Sequence, residues 1–317
     1  MLWFNILIFL TSLVLLAFSG RWLVDALLRV GKFLGWKEFV VAFFLCAISV
    51  SIPNFFVGII SALNNVPELS FGDIIGGNVI ALTLLIGLGA LISKAGLQAQ
   101  SRTVKGSFLF TIFIAIFPLF LASDGAISRT DGILLILIFF GYIFWLFQRK
   151  ERFIKTYDGN SEPMGLKFIL KNSFLFIISV PLLLIAAMGI VSSSLFFANY
   201  FNLPLPLIGI LIVSLGNSLP ELSFIFQAAR KNQDWLILGD LMGGVVITST
   251  LVLGIVSLIS PIKLINLPII IIARIFLIIS ALFFLFFIRI GRKITKKEAV
   301  FLLGIYVVFI VVEILMK

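Results

Sequence analysis

Residues Gly216–Gly254 read GNSLPELSFIFQAARKNQDWLILGDLMGGVVITSTLVLG, and residues Ser49–Gly87 read SVSIPNFFVGIISALNNVPELSFGDIIGGNVIALTLLIG. The two stretches align without a gap at an offset of 167. Ser51, Pro53, Asn65, Gly72, Asp73, Gly76, Gly77, Thr83 and Gly87 recur as Ser218, Pro220, Asn232, Gly239, Asp240, Gly243, Gly244, Thr250 and Gly254. Apolar coincidences cost nothing in so apolar a chain. Matches of Ser, Pro, Asn, Asp and Gly within apolar runs do, so the chain is built on an internal repeat.

The rest of the chain gives the repeat its setting. Of 317 residues, 61% are hydrophobic and 12% charged, with a mean hydropathy of +1.23. Soluble domains carry about 25% charged and ~45–50% apolar residues, so the bilayer is the solvent for most of this chain. Apolar runs long enough to be membrane helices fall near residues 2–28, 37–64, 69–93, 104–122, 131–148, 167–198, 205–230, 235–260, 266–288 and 297–316. The longest polar connection, Gln148–Lys167, carries Arg149, Lys150, Arg152 and Lys155 and divides the chain nearly in half. The predicted organisation is a first repeat over 1–148, a cytoplasmic linker over 149–166 and a second repeat over 167–317. Five helices per half is an odd number, so the second half enters the bilayer upside down. The expected fold class is an all-α polytopic membrane protein of about ten transmembrane helices in two inverted-topology five-helix repeats, an architecture known among secondary transporters. Charge agrees: 18 of the 24 Lys and Arg residues fall in one alternating set of loops and 3 in the other. The positive-inside rule then puts both termini outside.

Several classes are excluded. The net charge of +10 comes from basic residues between apolar runs, which topology explains, and there is no soluble basic domain for nucleic acid. Cys46 is the one cysteine and there is no histidine. That removes an intrachain disulfide, the usual zinc clusters and the commonest proton shuttle. Met1–Phe18 lacks a basic n-region and a small-x-small cleavage site, so it reads as the first membrane helix, not a signal peptide. With loops too short for a water-exposed catalytic site, an enzyme is the least expected reading, and no cofactor is expected.

The repeated polar residues carry the chemistry. Pro53 and Pro220 lie inside apolar runs. A proline there removes a backbone donor and frees a carbonyl one turn back, which a bound cation can satisfy where water cannot. Ser51 and Ser218 add hydroxyls just before the prolines, and Asn54 and Glu221 follow them directly. A carboxylate in mid-bilayer costs at least ~2.5–3.5 kcal/mol and marks a functional site by default. Glu221 is therefore the leading cation ligand, the alternative being a structural pairing with Arg274. Asp73, Gly77 and Ala81 are spaced by four and share a helix face, as do Asp240, Gly244 and Thr248. Two readings of Asp73 and Asp240 stand: side chains facing the cavity, or charges placed at a helix N-terminus. The paired glycines serve helix packing or close approach to an ion. Asp25 is expected at the end of the first helix or paired with Arg21, and Glu68, Asp124 and Asp131 in outside loops.

On these residues the chain resembles the sodium/calcium exchanger family, whose paired repeats carry Gly-Thr-Ser-x-Pro-Glu followed by Gly-Asn-x-x-Gly-Ser-Asn. The second repeat has Gly216-Asn217-Ser218-Leu219-Pro220-Glu221 and Gly239-Asp240-Leu241-Met242-Gly243-Gly244, and the first has Ser49-Val50-Ser51-Ile52-Pro53-Asn54 and Gly72-Asp73-Ile74-Ile75-Gly76-Gly77-Asn78. Gly20-Arg21-Trp22-Leu23-Val24-Asp25 also resembles the family's first helix. The resemblance implies a cation antiporter in a prokaryotic plasma membrane, with Ca²⁺, Na⁺ or H⁺ bound as substrates and no large regulatory loop. It implies cation sites ringed by the second and third helices of each half. Glu221 matches a glutamate ligand, and Ser51 and Ser218 match motif serines. Asn217 matches a threonine whose backbone oxygen contributes, and Thr248 stands where the family has Asp or Asn.

The departures bear on the transported ion. Asn54 replaces the family's other glutamate, Gly77 and Gly244 replace a ligand serine, and Ala81 replaces a polar ligand. With Glu221 alone, a bound Ca²⁺ would leave one charge uncompensated at low dielectric. Three readings follow: a family-type antiporter still handling Ca²⁺, a monovalent cation or proton transporter, or a non-transporting membrane scaffold or sensor.

Overall fold

The computed structural model of the chain describes residues 1–33, 45–98, 102–148, 166–231, 234–264, 267–291 and 293–316. Helices close their own backbone hydrogen bonds, the requirement an apolar solvent imposes, and helices dominate. α1 spans Leu2–Phe33 and α2 Leu45–Leu63. α3 runs Pro67–Ile80, passes through a π-helical turn Ala81–Leu85 and ends as Ile86–Ile92. α4 (Arg102–Leu121) and α5 (Arg129–Gln148) complete the first half. α6 spans Leu166–Phe201, and α7 covers Leu205–Ile208, a π-helical Gly209–Val213 and Ser214–Asn217. α8 is Leu219–Arg230. α9 runs Asp234–Ile247, a π-helical Thr248–Val252 and Leu253–Ile259, followed by α10 (Leu267–Gly291) and α11 (Lys296–Leu315).

Each predicted apolar run, over its described residues, falls on these helices. Among the described residues, six stretches suit a membrane crossing by length and composition: Leu2–Leu23, Pro67–Ile92, Ile177–Phe201, Leu236–Ile259, Ile269–Arg289 and Lys296–Leu315. The pair α7 and α8, bent by 41° where they meet, makes a seventh. The linker 149–166 lies outside the described residues but for Leu166, which opens α6.

The offset of 167 seen in the sequence reappears in the element boundaries. α3 and α9 each begin with 14 α-helical residues before their π-helical turns. Two short antiparallel pairings tie the halves together reciprocally. β1 (Leu97–Gln98) pairs with β4 (Lys293–Ile294), and β2 (Ala126–Ile127) pairs with β3 (Ile262–Lys263). In each pair, a strand leaving the long central helix of one half meets the strand entering the last helix of the other.

α3 and α9 form the centre, with 78% of each apolar window buried, against 28% for α1 and 22% for α11. A second apolar cluster joins α1 to α6 through Phe9, Leu16, Leu183, Ala187 and Ile190. At the centre, α3 and α7 touch backbone to backbone. A Cβ on Gly76 would fall 2.5 Å from the Ile210 carbonyl oxygen, and one on Gly209 would collide with the Leu69 carbonyl. Asn65, one of the repeated residues, closes α2 at φ 58°, a left-handed conformation that asparagine tolerates; its counterpart Asn232 lies outside the described residues.

Four expectations change. Pro53 sits inside a continuous α2, so among the described residues the interruption at Ser218 next to Pro220 has no counterpart at Pro53. One missing hydrogen bond is tolerated where packing holds the helix on both sides. Asp25 lies within α1, which continues to Phe33, so it does not end that helix; its side chain, and with it the alternative pairing with Arg21, lies outside the described residues. Glu68 stands in the first turn of α3, not a loop. Asp131 stands in the first turn of α5, where it accepts from the Ser128 backbone N–H at 2.8 Å and hydroxyl at 2.6 Å, as a carboxylate at a helix start should.

Candidate functional site

A small enclosed cavity lies where α2, α3, α7, α8 and α9 converge. Its volume of about 20 Å³ is room for one water-sized particle. Asn54 reaches it from α2, and Asp73, Gly77, Asn78 and Ala81 from α3. Ser214, Ser218 and Glu221 reach it from the bent pair, and Gly244 and Thr248 from α9. The bend is what admits Ser218 and Glu221. Pro220 withholds the N–H that Gly216 would otherwise receive, and Glu221 starts α8 with its side chain turned inward, 8% exposed.

The polar side chains are joined across the halves. The Asn217 amide donates to Asn54 Oδ1 at 2.9 Å and to Asp73 Oδ2 at 3.0 Å. Thr248 donates its hydroxyl to Gly244 O at 2.9 Å and lies 3.3 Å from Asn78 Oδ1, while Asn78 donates to Ser249 Oγ at 2.7 Å. Ser218 donates to Ser214 O at 2.7 Å. Asp73 Oδ1, Asn217 Oδ1 and both carboxylate oxygens of Asp240 are buried without a hydrogen-bond partner. Glu221 and Asp73 line the same cavity, with Asp240 buried behind it. Arg274 is not its counter-ion: its Nη2 donates to the Ala122 carbonyl at 2.5 Å.

Of the eight predicted residues, five line the cavity: Asn54, Asp73, Ser218, Glu221 and Thr248. Asn217 stands behind it, and its side-chain amide joins Asn54 to Asp73. Ser51 is buried in α2 but is not among the lining residues. Asp240 is likewise buried behind the lining, although Gly244 and Thr248 on its helix reach the cavity. Neither aspartate marks a helix start, since α3 opens at Pro67 and α9 at Asp234, more than a turn earlier; the dipole effect fades within one turn. The paired glycines divide the two roles weighed for them. Gly76 packs on α7, while Gly77 faces the cavity, and a Cβ there would meet nothing within 4 Å. Two polar lining residues, Asn78 and Ser214, escaped the sequence reading. Both carried a signal: Asn78 follows the paired glycines, and Ser214 lies one helical turn before Ser218.

Among the described residues no cluster of three or more Asp, Glu, Cys or His side chains is arranged to chelate a metal. The cavity instead mixes carboxylate, amide and hydroxyl oxygens. Sites that must release what they bind favour such moderate holding.

Long apolar helices, an internal repeat and a buried acidic cavity between its halves define an integral membrane protein with an ion-sized polar centre. The sodium/calcium exchanger protein family matches twice, over residues 4–148 and 171–315, and the chain belongs to that family. It is 27% identical to the sodium/calcium exchanger MaX1 of Methanosarcina acetivorans, over 97% of this chain and 98% of that one. The inner membrane protein YrbG of Escherichia coli is 24% identical over 80% of this chain and 79% of its own. The sodium-calcium exchanger NCX_Mj superposes with a TM-score of 0.67, at 24% identity over 98% of this chain and 99% of that one.

Proposed function

We propose that this chain is a secondary active antiporter that carries a cation through the central cavity in exchange for Na⁺ or H⁺. Glu221 carries the reading: a carboxylate at the bend of a membrane-buried helix pair, lining an ion-sized polar cavity, with no basic partner among the described residues. Such a group requires a cation or a proton to neutralise it. Family membership and relatives named as sodium/calcium exchangers support exchange, and Ca²⁺ is the first substrate to test.

The proposed architecture is ten membrane-crossing helices in two inverted five-helix repeats, 1–148 and 167–317, joined by a linker over 149–166. Both termini lie outside a prokaryotic plasma membrane. The matching element boundaries and reciprocal strand pairs support a two-fold relation between halves, and inverted halves can expose one central site to either side in turn. Asn54, Asp73, Ser218, Glu221 and Thr248 face the ion, while Ser51, Asn217 and Asp240 support them from behind. A monovalent cation or proton is the second reading, favoured by the neutral amide of Asn54 at the place corresponding to Glu221.

Purified protein in proteoliposomes loaded with Na⁺ should take up Ca²⁺ when the outward gradient is imposed and stop when it is collapsed. Absence of uptake there, with exchange under pH or K⁺ gradients, would select the monovalent reading; no ion movement under any gradient would remove the antiporter assignment. Gly77→Ser should add a hydroxyl to the cavity without a clash. Cation affinity should rise severalfold by titrated thermal stabilisation, with ion-free stability unchanged or up by about 0.5 kcal/mol from the lost glycine flexibility.

A further inference from the structure

The offset of 167 pairs Asn54 with Glu221, Val50 with Asn217 and Asp73 with Asp240. The two members of each pair do different things. Around the first half's position, Asn217 reaches across from the second half and binds both Asn54 and Asp73. In the aligned sequence the counterpart of Asn217 is a valine, Val50, a residue type with no side-chain donor, and both oxygens of Asp240 are left unpaired behind the lining.

The direction of the Asn217 bridge follows from its partners. Asn54 Oδ1 and a carboxylate oxygen of Asp73 both need donors, and only the NH₂ end of Asn217 can supply two. Turned over, its carbonyl would face two other oxygens. Seated this way, Asn217 occupies Oδ2 of Asp73 and leaves Oδ1 without a partner, on a side chain only 1% exposed that lines the cavity. The same bridge turns the Asn54 amide so that its oxygen is engaged, making Asn54 a neutral wall of the site.

Resting on the antiporter reading above, we infer that Asp73 supplies the second negative charge of the site, in place of the carboxylate absent at Asn54, with Asn217 as the positioning residue that presents its free oxygen. Asp73 and Glu221 together balance a divalent cation such as Ca²⁺, so the site takes divalent ions despite the neutral residue after Pro53. The charge has moved from α2 to the neighbouring α3, and the amide that holds it comes from the other repeat.

A charge exchange tests this. Ca²⁺ affinity is measured on the full-length protein in detergent by the Ca²⁺-dependent rise in melting temperature and by radioactive Ca²⁺ binding. Asp73→Asn should weaken Ca²⁺ at least tenfold while Na⁺ still stabilises the protein, which shows that the variant is folded. Adding Asn54→Glu to Asp73→Asn should recover most of that loss, whereas Asn54→Glu alone should crowd a third carboxylate into the cavity lining and gain little. Asn217→Ala should weaken Ca²⁺ severalfold with Asp73 intact. Wild-type Ca²⁺ affinity in Asp73→Asn, or a loss that Asn54→Glu fails to recover, overturns the inference. A wild-type protein indifferent to Ca²⁺ that still exchanges Na⁺ or H⁺ in vesicles overturns it too, but leaves the antiporter reading standing.

Discussion

Glu221→Gln should reduce gradient-driven Ca²⁺ uptake at least 100-fold while the protein remains folded. The substitution keeps size and one oxygen and removes only the charge. Two unit charges 4 Å apart interact by about 4 kcal/mol at an effective dielectric near 20, which converts to roughly 10³ in affinity; water entering the site trims this. Stability should move the other way. Glu221 lines a buried cavity that it shares with Asp73 and that has no basic residue in its lining, so a neutral amide removes the cost of a buried carboxylate without a counter-ion in ion-free buffer. The variant should melt higher than wild type without cations and lose most of its response to Ca²⁺. A variant that melts lower in ion-free buffer and keeps its Ca²⁺ response would mean that Glu221 serves the fold and not the ion.

The second large effect is expected at Gly76. An alanine there puts its Cβ 2.5 Å from Ile210 O and 2.7 Å from Ser214 Oγ. The first is backbone of a packed helix and cannot swing aside. Overpacking of this kind typically costs about 1–3 kcal/mol, and a backbone obstacle puts Gly76→Ala at the upper end. Melting temperature should fall by several degrees, and uptake should fall with it because Ser214 lines the cavity. Gly77→Ala is the internal control, since its Cβ meets nothing within 4 Å. Equal losses in both variants would trace the effect to helix flexibility and not to the α3–α7 contact.

These glycines show where reading a sequence stops. The repeat, the helical class and most polar residues of the cavity were legible, Asn78 and Ser214 excepted, because Ser, Pro, Asp and Gly stand out against an apolar background. Which of two adjacent glycines packs and which faces the cavity was not: one residue is about 100° around a helix, and only the neighbouring helix fixes the rotation. Asp73 and Asp240 hold equivalent places in the repeat, yet only Asp73 lines the cavity. The difference shows in their hydrogen bonds: Asp73 accepts from Asn217, while both oxygens of Asp240 stay unpaired. Pro53 and Pro220 likewise look alike in sequence, but a proline bends a helix only where packing lets it, and α2 stays continuous through Pro53.

The reciprocal strand pairs also govern the order in which the protein can mature on the ribosome. Leu97 has to wait for Ile294, and Ile127 for Ile262, so the first half emerges and enters the bilayer long before its partners are made. Until then its strand segments and the glycine face of α3 stand unpaired, the kind of transient exposure that invites mispairing. Native closure is therefore a late event, completed only when the segment just before α11 has been synthesised, and a chain truncated ahead of Lys293 would be left permanently at that unfinished stage.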